Sequence, residues 1–264
     1  MLLNVLLPKT FVFSKYQPLM NLSFKKLRLF QTGCFTLFLS FCFLGNAQNS
    51  QNNVYQTFDY LIGIENSGIF KGTVNLPYPN LSPENHPFYQ TVDYQQMNIV
   101  YKQQTYSNIS GRYDLIRNSL EILPQKQTNL PSITLAPELL QGFTIDGTVF
   151  EKHLLPKSEE VSFFEVLLSN AQFKLLQKHE KQGKERIRNR NQIYVQYVET
   201  TELFIKTQDQ MYPIKGKKDV FKVFPEAKEQ LSQYFKESRK DKKGDEAIID
   251  VLNQWDASIN EKNN

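Results

Sequence analysis

The chain of 264 residues carries 31 Lys and Arg residues against 27 Asp and Glu residues, for a formal net charge of +4. Five of the basic residues and none of the acidic ones fall in the first 47 positions, so residues 48–264 have a net charge of −1 and the chain's basicity is no evidence for nucleic-acid binding. Both cysteines, Cys34 and Cys42, lie in the same N-terminal segment, which excludes a disulfide, a cysteine nucleophile and a thiolate metal site from the remainder.

Residues 1–47 have the pattern of a targeting segment. Basic residues within 25–28 precede an apolar run from Cys34 to Leu44, and small residues close the segment. We expect export to the periplasm or outer envelope, with cleavage after Ala47. The apolar run is shorter than the roughly 20 residues of a spanning helix, so any membrane contact is expected to be peripheral. Met20 is a natural first residue for this signal.

Residues 48–215 have the pattern of a β domain. Short runs rich in Val, Ile, Tyr, Phe and Thr are separated by Gly, Asn and Pro. Asp146-Gly147 favours a tight turn between antiparallel strands, and Arg117-Asn118 is a polar break within another run. The predicted strand segments are 67–76, 97–106, 111–123 and 142–154. The sequence therefore predicts an antiparallel, hairpin-rich, curled sheet.

Two segments, 77–88 and 124–140, are rich in proline, which lacks the amide hydrogen that a strand ladder needs. They are predicted to be loops or sheet edges. Because long loops are often functional, His86, Phe88 and Tyr89 are candidates for contacting a partner, and the alternative is a plain connection.

The stretch SFFEVLLSNAQFKLLQKH, residues 162–179, predicts a hairpin with a two-residue turn at Ser169-Asn170. This register places Glu165 opposite Lys174 as a cross-strand ion pair. It also places four apolar side chains on one continuous face of the hairpin, namely Phe164, Val166, Phe173 and Leu175.

The segment 178–190 contains Arg186, Arg188 and Arg190 at alternating positions. An extended backbone would align the three guanidinium groups on one side, where they would suit phosphate or carboxylate groups. In an envelope such anions are lipid head groups, lipopolysaccharide and acidic glycans. The alternative interpretation is a solvated, charged loop between two strands.

Residues 216–264 change to a helical period. A short helix is predicted with Asp219 as its N-cap, a second one begins near Pro225, and a third follows with Asp245 as a cap. Trp255 falls on the apolar face of the third helix and is expected in the core. The fold class predicted is therefore α+β, a β domain of residues 48–215 followed by two or three amphipathic helices in residues 216–264.

The sequence contains few patterns that indicate a catalytic or metal-binding site. Its histidines, His86, His153 and His179, are far apart, and none has a second ligand at the spacing of a metal site. Nucleophile-elbow, phosphate-loop and dinucleotide-binding motifs are all missing. Adjacent Glu159 and Glu160 would point to opposite sides of a strand. We predict no catalytic residue, no metal and no cofactor, and we favour a non-enzymatic protein.

Two motifs, FFEVLLSNAQFKLLQK and DEAIIDVLNQWDAS, together with the chain between them, resemble an uncharacterised family of exported Bacteroidota proteins. The resemblance covers about the C-terminal half of the chain. It implies an envelope location and a β-rich body with C-terminal helices, and it supplies no catalytic residue.

Three functions follow as hypotheses. The first is a binding or assembly module whose partner is an envelope protein, a lipid head group or an acidic glycan, and not a nucleic acid. The second is a carrier that shelters an apolar or lipid ligand inside the curled sheet. The third is a hydrolase with dispersed catalytic residues.

Overall fold

The computed structural model describes residues 68–124, 131–188, 192–208, 210–238 and 242–262, of which 188, 192 and 260–262 are described without their side chains. The predicted targeting segment, residues 1–47, lies outside the described residues.

Antiparallel strands form a single open sheet of eleven strands in the described part of the chain. The sheet order is β1-β5-β4-β3-β2-β6-β7-β8-β9-β10-β11, so β1 and β11 are its edges. The strands are β1 Thr73–Val74, β2 Gln95–Tyr101, β3 Gln104–Asp114, β4 Ser119–Ile122, β5 Ile133–Thr134, β6 Leu140–Ile145, β7 Thr148–Leu154, β8 Val161–Ser169, β9 Lys174–Arg188, β10 Gln192–Lys206 and β11 Met211–Ile214.

Three helices follow the sheet: α1 Lys217–Val223, α2 Lys228–Ser238 and α3 Asp245–Lys262. The predicted α+β class with an antiparallel, hairpin-rich sheet and C-terminal helices is confirmed. Helix α1 begins before the predicted cap: Asp219 lies in its first turn, where Oδ2 accepts the N–H of Lys215 at 3.2 Å. Helix α3 begins at Asp245, directly after Gly244.

Positive backbone φ angles mark the tight turns. Asp146 and Gly147, at φ +46° and +79°, join β6 to β7 as predicted. Lys102 and Gln103, at φ +52° and +63°, make the corresponding turn between β2 and β3 although neither is glycine. The pairing of two long strands overcomes the small cost of left-handed backbone in these residues.

The two proline-rich segments, which were predicted to be loops or sheet edges, have different structures. Segment 77–88 contains no strand beyond isolated bridges at Ser82, Asn85 and Phe88, in agreement with a loop. In segment 124–140, outside the undescribed residues 125–130, the chain forms β5 and a short 3₁₀ turn, Pro137–Leu139.

The hairpin of β8 and β9 is present, but its predicted register is wrong. Ser169 pairs with Lys174, so the turn spans four residues, not two. Asn170 determines this turn because its Oδ1 accepts the N–H groups of Gln172 and Phe173, both at 2.8 Å. A bulge between Val166 and Leu168 then shifts the register again.

The predicted ion pair between Glu165 and Lys174 is wrong as a consequence. Glu165 lies opposite Gln177, and its carboxylate bonds His179 at 2.7 Å. Lys174 instead donates to Glu151 on β7 at 2.6 Å. The predicted continuous apolar face is divided: Phe164 and Leu175 are both buried, but they belong to different core clusters.

Two large apolar cores lie on the sheet. The first fills the curl of β2 to β8, where the rings of Phe143 and Phe150 stack at 4.7 Å and Tyr113 and Phe163 pack edge-on at 6.0 Å. The second packs the helices against β9, β10 and β11, and Trp255 stacks there on Phe173 at 5.6 Å. The prediction that Trp255 is a core residue is confirmed.

Asn170 links the turn to the helical layer, because its Nδ2 donates to Asp256 of α3 at 2.6 Å. We expect Asn170→Ala to lower the free energy of unfolding by about 2 kcal/mol, since three side-chain hydrogen bonds are lost. Urea denaturation measures this value. The matched control is Asn253→Ala on the exposed face of α3, which should leave stability unchanged or slightly higher. Equal stability of the wild type and Asn170→Ala would contradict this account of the turn.

Candidate functional site

Strands β9 and β10 extend well past their neighbours in the sheet. Strand β8 pairs with β9 no further than Lys178, and β11 pairs with β10 no further than Leu203. Residues 179–188 and 192–202 therefore pair only with each other within the sheet, and we call them the arm. Ten residues at about 3.3 Å each give the arm a length of about 30 Å.

One face of the arm is apolar at its tip. Ile187 and Ile193 are direct cross-strand partners, and their exposed fractions are 74% and 66%. Val195 follows on the same face at 37% exposure. Gly183 lies beside it, where an added Cβ would be only 2.9 Å from Val195 Cγ1, so glycine permits this side chain to cover the strand.

The other face of the arm is basic. Lys184 and Arg186 alternate with the apolar positions and are exposed, and Arg186 Nε donates to Gln196 Oε1 at 3.0 Å. Arg188 is the last residue of β9. The side chain of Arg188 and all of Arg190 lie outside the described residues, so the three-arginine anion site stays a prediction. The alternative interpretation, a charged loop, is wrong for residues 178–188.

The loop 77–88 supports one edge of the arm. Asn85 Nδ2 donates to the carbonyl oxygen of Val195 at 2.7 Å, and Asn85 Oδ1 accepts the N–H of Tyr197 at 2.9 Å. The amide side chain thus satisfies the backbone groups that a neighbouring strand would bond. Tyr78 adds an edge-on ring contact with Tyr197 at 6.1 Å.

The predicted partner-contact residues lie at the end of this loop, and all three are buried. The ring of Phe88 packs under the guanidinium of Arg112, with Cζ 3.7 Å from the ring centroid. His86 Nδ1 accepts the N–H of Phe88 at 3.2 Å, and burial lowers the pKa of His86. Tyr89 packs on Phe150 in the first core. These side chains therefore face the protein interior, and partner contact by the loop stays a prediction.

A charged cluster occupies the base of the arm. His179 on β9 lies between two carboxylates: Nε2 is 2.7 Å from Glu165 on β8, and Nδ1 is 3.0 Å from Glu199 on β10. Lys181 is 3.5 Å from Glu199 and donates to the carbonyl oxygen of Phe88 at 2.7 Å. The hydroxyl of Tyr89 donates to Glu165 at 3.3 Å. We call Tyr89, Glu165, His179, Lys181 and Glu199 the His179 cluster.

Electrostatics keep His179 protonated. Burial alone would lower its pKa, but the hydrogen bonds and charges of Glu165 and Glu199 outweigh burial and raise the pKa to about 9. The hydrogen bond from His179 lowers the pKa of Glu199 in turn. Burial lowers the pKa of Lys181.

The contacts of the His179 cluster join neighbouring elements of the fold. Both ring nitrogens of His179 donate to carboxylates, so neither has a lone pair to accept a proton. Burial raises the pKa of Tyr89 to about 12, which keeps its phenol neutral. The cluster therefore holds β8, β9, β10 and the loop 77–88 together.

No family model, no curated protein and no solved structure matches this chain. The resemblance to exported Bacteroidota proteins therefore stays a prediction. The described residues contain no group of three His, Asp or Glu side chains arranged to hold a metal ion. None of the helices in the described part of the chain has the length and apolar character needed to cross a membrane.

The pKa of His179 predicts a specific pH dependence. A histidine whose pKa rises on folding stabilises the fold fully below the unfolded value of 6.5, and this contribution is lost as the pH rises through about 9. We expect the difference in unfolding free energy between the wild type and His179→Gln to shrink by about 2 kcal/mol across this window.

Denaturant titrations at several pH values measure that difference. The matched control is His153→Gln. Burial lowers the pKa of His153, so above pH 7 its ring is largely neutral in both the folded and the unfolded protein. The control's difference from the wild type should stay constant between pH 7 and 9. A constant difference for His179→Gln as well would show that the imidazolium does not form.

Proposed function

We propose that this protein is an exported binding module that attaches to an anionic membrane surface through the tip of the arm. The observation that carries the proposal is the pairing of two exposed isoleucines, Ile187 and Ile193, with a basic face on the other side of the same two strands. Export rests on the targeting segment predicted from the sequence.

The apolar face suits the boundary between lipid head groups and acyl chains. Burial of an exposed isoleucine side chain contributes up to about 1.5–3 kcal/mol, so partial insertion of Ile187 and Ile193 gives useful affinity. Water-exposed pairs of this kind are uncommon in the middle of a sheet, where a neighbouring element would cover them. At the tip of the arm no other described strand pairs with β9 or β10.

The basic face suits the head groups themselves. Residues 182–192 contain four basic residues against one acidic residue, Glu185, which lies on the apolar face beside Val195. Each Lys or Arg near an anionic surface contributes about 1 kcal/mol. Long basic side chains also keep their charge in the head-group layer while their methylenes cover apolar surface. Tyr194, on the basic face, has the amphipathic ring typical of this layer.

The arm is held in place at its base, which favours binding to a membrane. Asn85 and the His179 cluster hold the strands as far as Val195, and only the last few residues project beyond them. An element that is already ordered loses little conformational entropy on binding, so more of its contact energy appears as affinity.

The carrier hypothesis receives less support from the geometry. The interior of the curl is occupied by protein side chains, because the rings of Tyr113, Phe143, Phe150 and Phe163 contact one another there. His179 gives the hydrolase hypothesis no specific support, because both of its ring nitrogens contact carboxylates.

Vesicle sedimentation tests the proposal. The protein without residues 1–47 should sediment with phosphatidylcholine vesicles that contain phosphatidylglycerol, and less with phosphatidylcholine alone. We expect Ile187→Ser with Ile193→Ser to weaken binding about tenfold or more because the inserted surface is lost. Arg186→Gln with Arg188→Gln should weaken binding to anionic vesicles about tenfold, and added salt should have the same effect.

Matched controls are exposed residues elsewhere on the chain. Leu76→Ser with Leu154→Ser removes two aliphatic side chains that are 76% and 60% exposed, and Lys71→Gln with Lys157→Gln removes two exposed charges. Both controls should bind like the wild type. Unchanged sedimentation of both arm variants would refute the proposal.

A further inference from the structure

A second basic surface lies away from the arm tip, in a cavity of about 380 Å³ between the start of α1 and the start of α3. One side is the junction where β11 leads into α1, and the other is the connection that leads into α3. The cavity is lined by Lys215, Gly216, Lys217, Phe235, Lys242, Lys243, Gly244, Ala247 and Ile248. We call it the lysine pocket.

The rim of the lysine pocket is cationic. Among the described residues that line it, four are lysines and none is acidic. Asp250 neutralises Lys242 at 2.6 Å. Within the described residues, Lys217 and Lys243 form no ion pair. Like charges around a concave, low-dielectric surface raise the local positive potential, which an anionic group would relieve.

The floor of the pocket is apolar. Phe235, Ala247 and Ile248 are buried side chains, and Phe235 and Ile248 belong to the core that joins the helices to the sheet. Gly216 and Gly244 leave the walls open, because a Cβ added at either position would meet nothing within 4 Å. The volume is within the range of small-molecule sites. A cationic rim above an apolar floor suits a ligand that has both an anionic group and an apolar part.

We propose that the lysine pocket binds a small amphipathic anion, a phosphate or carboxylate group attached to a short aliphatic chain. The anionic head would bond Lys217 and Lys243, and the chain would lie on Phe235 and Ile248. Lipid-derived phosphates and fatty acids share this chemistry. This proposal uses no residue of the arm, so it is independent of the proposed membrane contact.

Titration calorimetry with three probes tests the proposal: hexyl phosphate, inorganic phosphate and 1-hexanol. Hexyl phosphate should bind at least about tenfold more tightly than either fragment, because both halves of the site are used. Lys217→Gln with Lys243→Gln should weaken hexyl phosphate binding by about tenfold or more, since two charge-assisted contacts are lost. Methyl NMR signals of Ala247 and Ile248 should shift on addition of the probe.

The matched control is Lys228→Gln with Lys236→Gln, two lysines of α2 that do not line the pocket. This variant should bind like the wild type, and thermal unfolding shows whether both variants remain folded. Equal affinity of the wild type and Lys217→Gln with Lys243→Gln would overturn the proposal. So would the absence of hexyl phosphate binding, or an affinity for hexanol or for inorganic phosphate that matches that of hexyl phosphate.

Discussion

The contacts of His179 with Glu165 and Glu199 tie the base of the arm to the neighbouring strand of the sheet. They join three strands through side chains at the level where β8 stops pairing with β9 and the arm begins. Through Lys181 and Tyr89 the same cluster holds the loop that supports the arm. A buried charge is costly unless it is paired, so removing one member of the cluster would leave its partners with an unsatisfied charge. The arm is thus an extension of the core and not a loose hairpin.

Patterns within short stretches of sequence predicted much of this fold, whereas contacts between distant residues could not be predicted from them. Asp146-Gly147 and the helical period around Trp255 are visible in short windows of sequence, and the structure confirms both. The β8–β9 register depended on whether Asn170 would bond the backbone two and three residues later, a choice fixed partly by its contact with α3. The Glu165 to His179 contact could not be predicted because a single register error reassigns every cross-strand partner. The length of the arm could not be predicted because its sequence is highly charged. A strand with both faces exposed lacks the alternation of apolar and polar residues that marks a half-buried strand.

The structure shows where many of the basic residues of this unevenly charged sequence lie. Residues 171–243 hold 18 basic and 10 acidic residues, and the structure distributes part of this excess over two separate surfaces. The basic face of the arm is extended and adjoins exposed isoleucines, whereas the lysine pocket is concave and has an apolar floor. An extended surface suits a flat, multivalent partner, and a concave one suits a single small group. The two proposals therefore concern different ligands and are testable separately.

Hydrogen exchange can show whether the arm is an ordered extension of the sheet, because amide protection reports whether a hydrogen bond persists in solution. We expect slow exchange at alternate amides, whose N–H groups face the partner strand, namely those of Gln182, Lys184, Arg186, Tyr194, Gln196 and Val198. Tyr197 should also exchange slowly, because its N–H is bonded by Asn85. In Asn85→Ala, protection should fall at Tyr197 and its neighbours on β10 while the amides of β2 to β7 keep theirs. Exchange of the wild-type arm at the rate of an unstructured peptide would show that the arm is a loose hairpin and not an extension of the core.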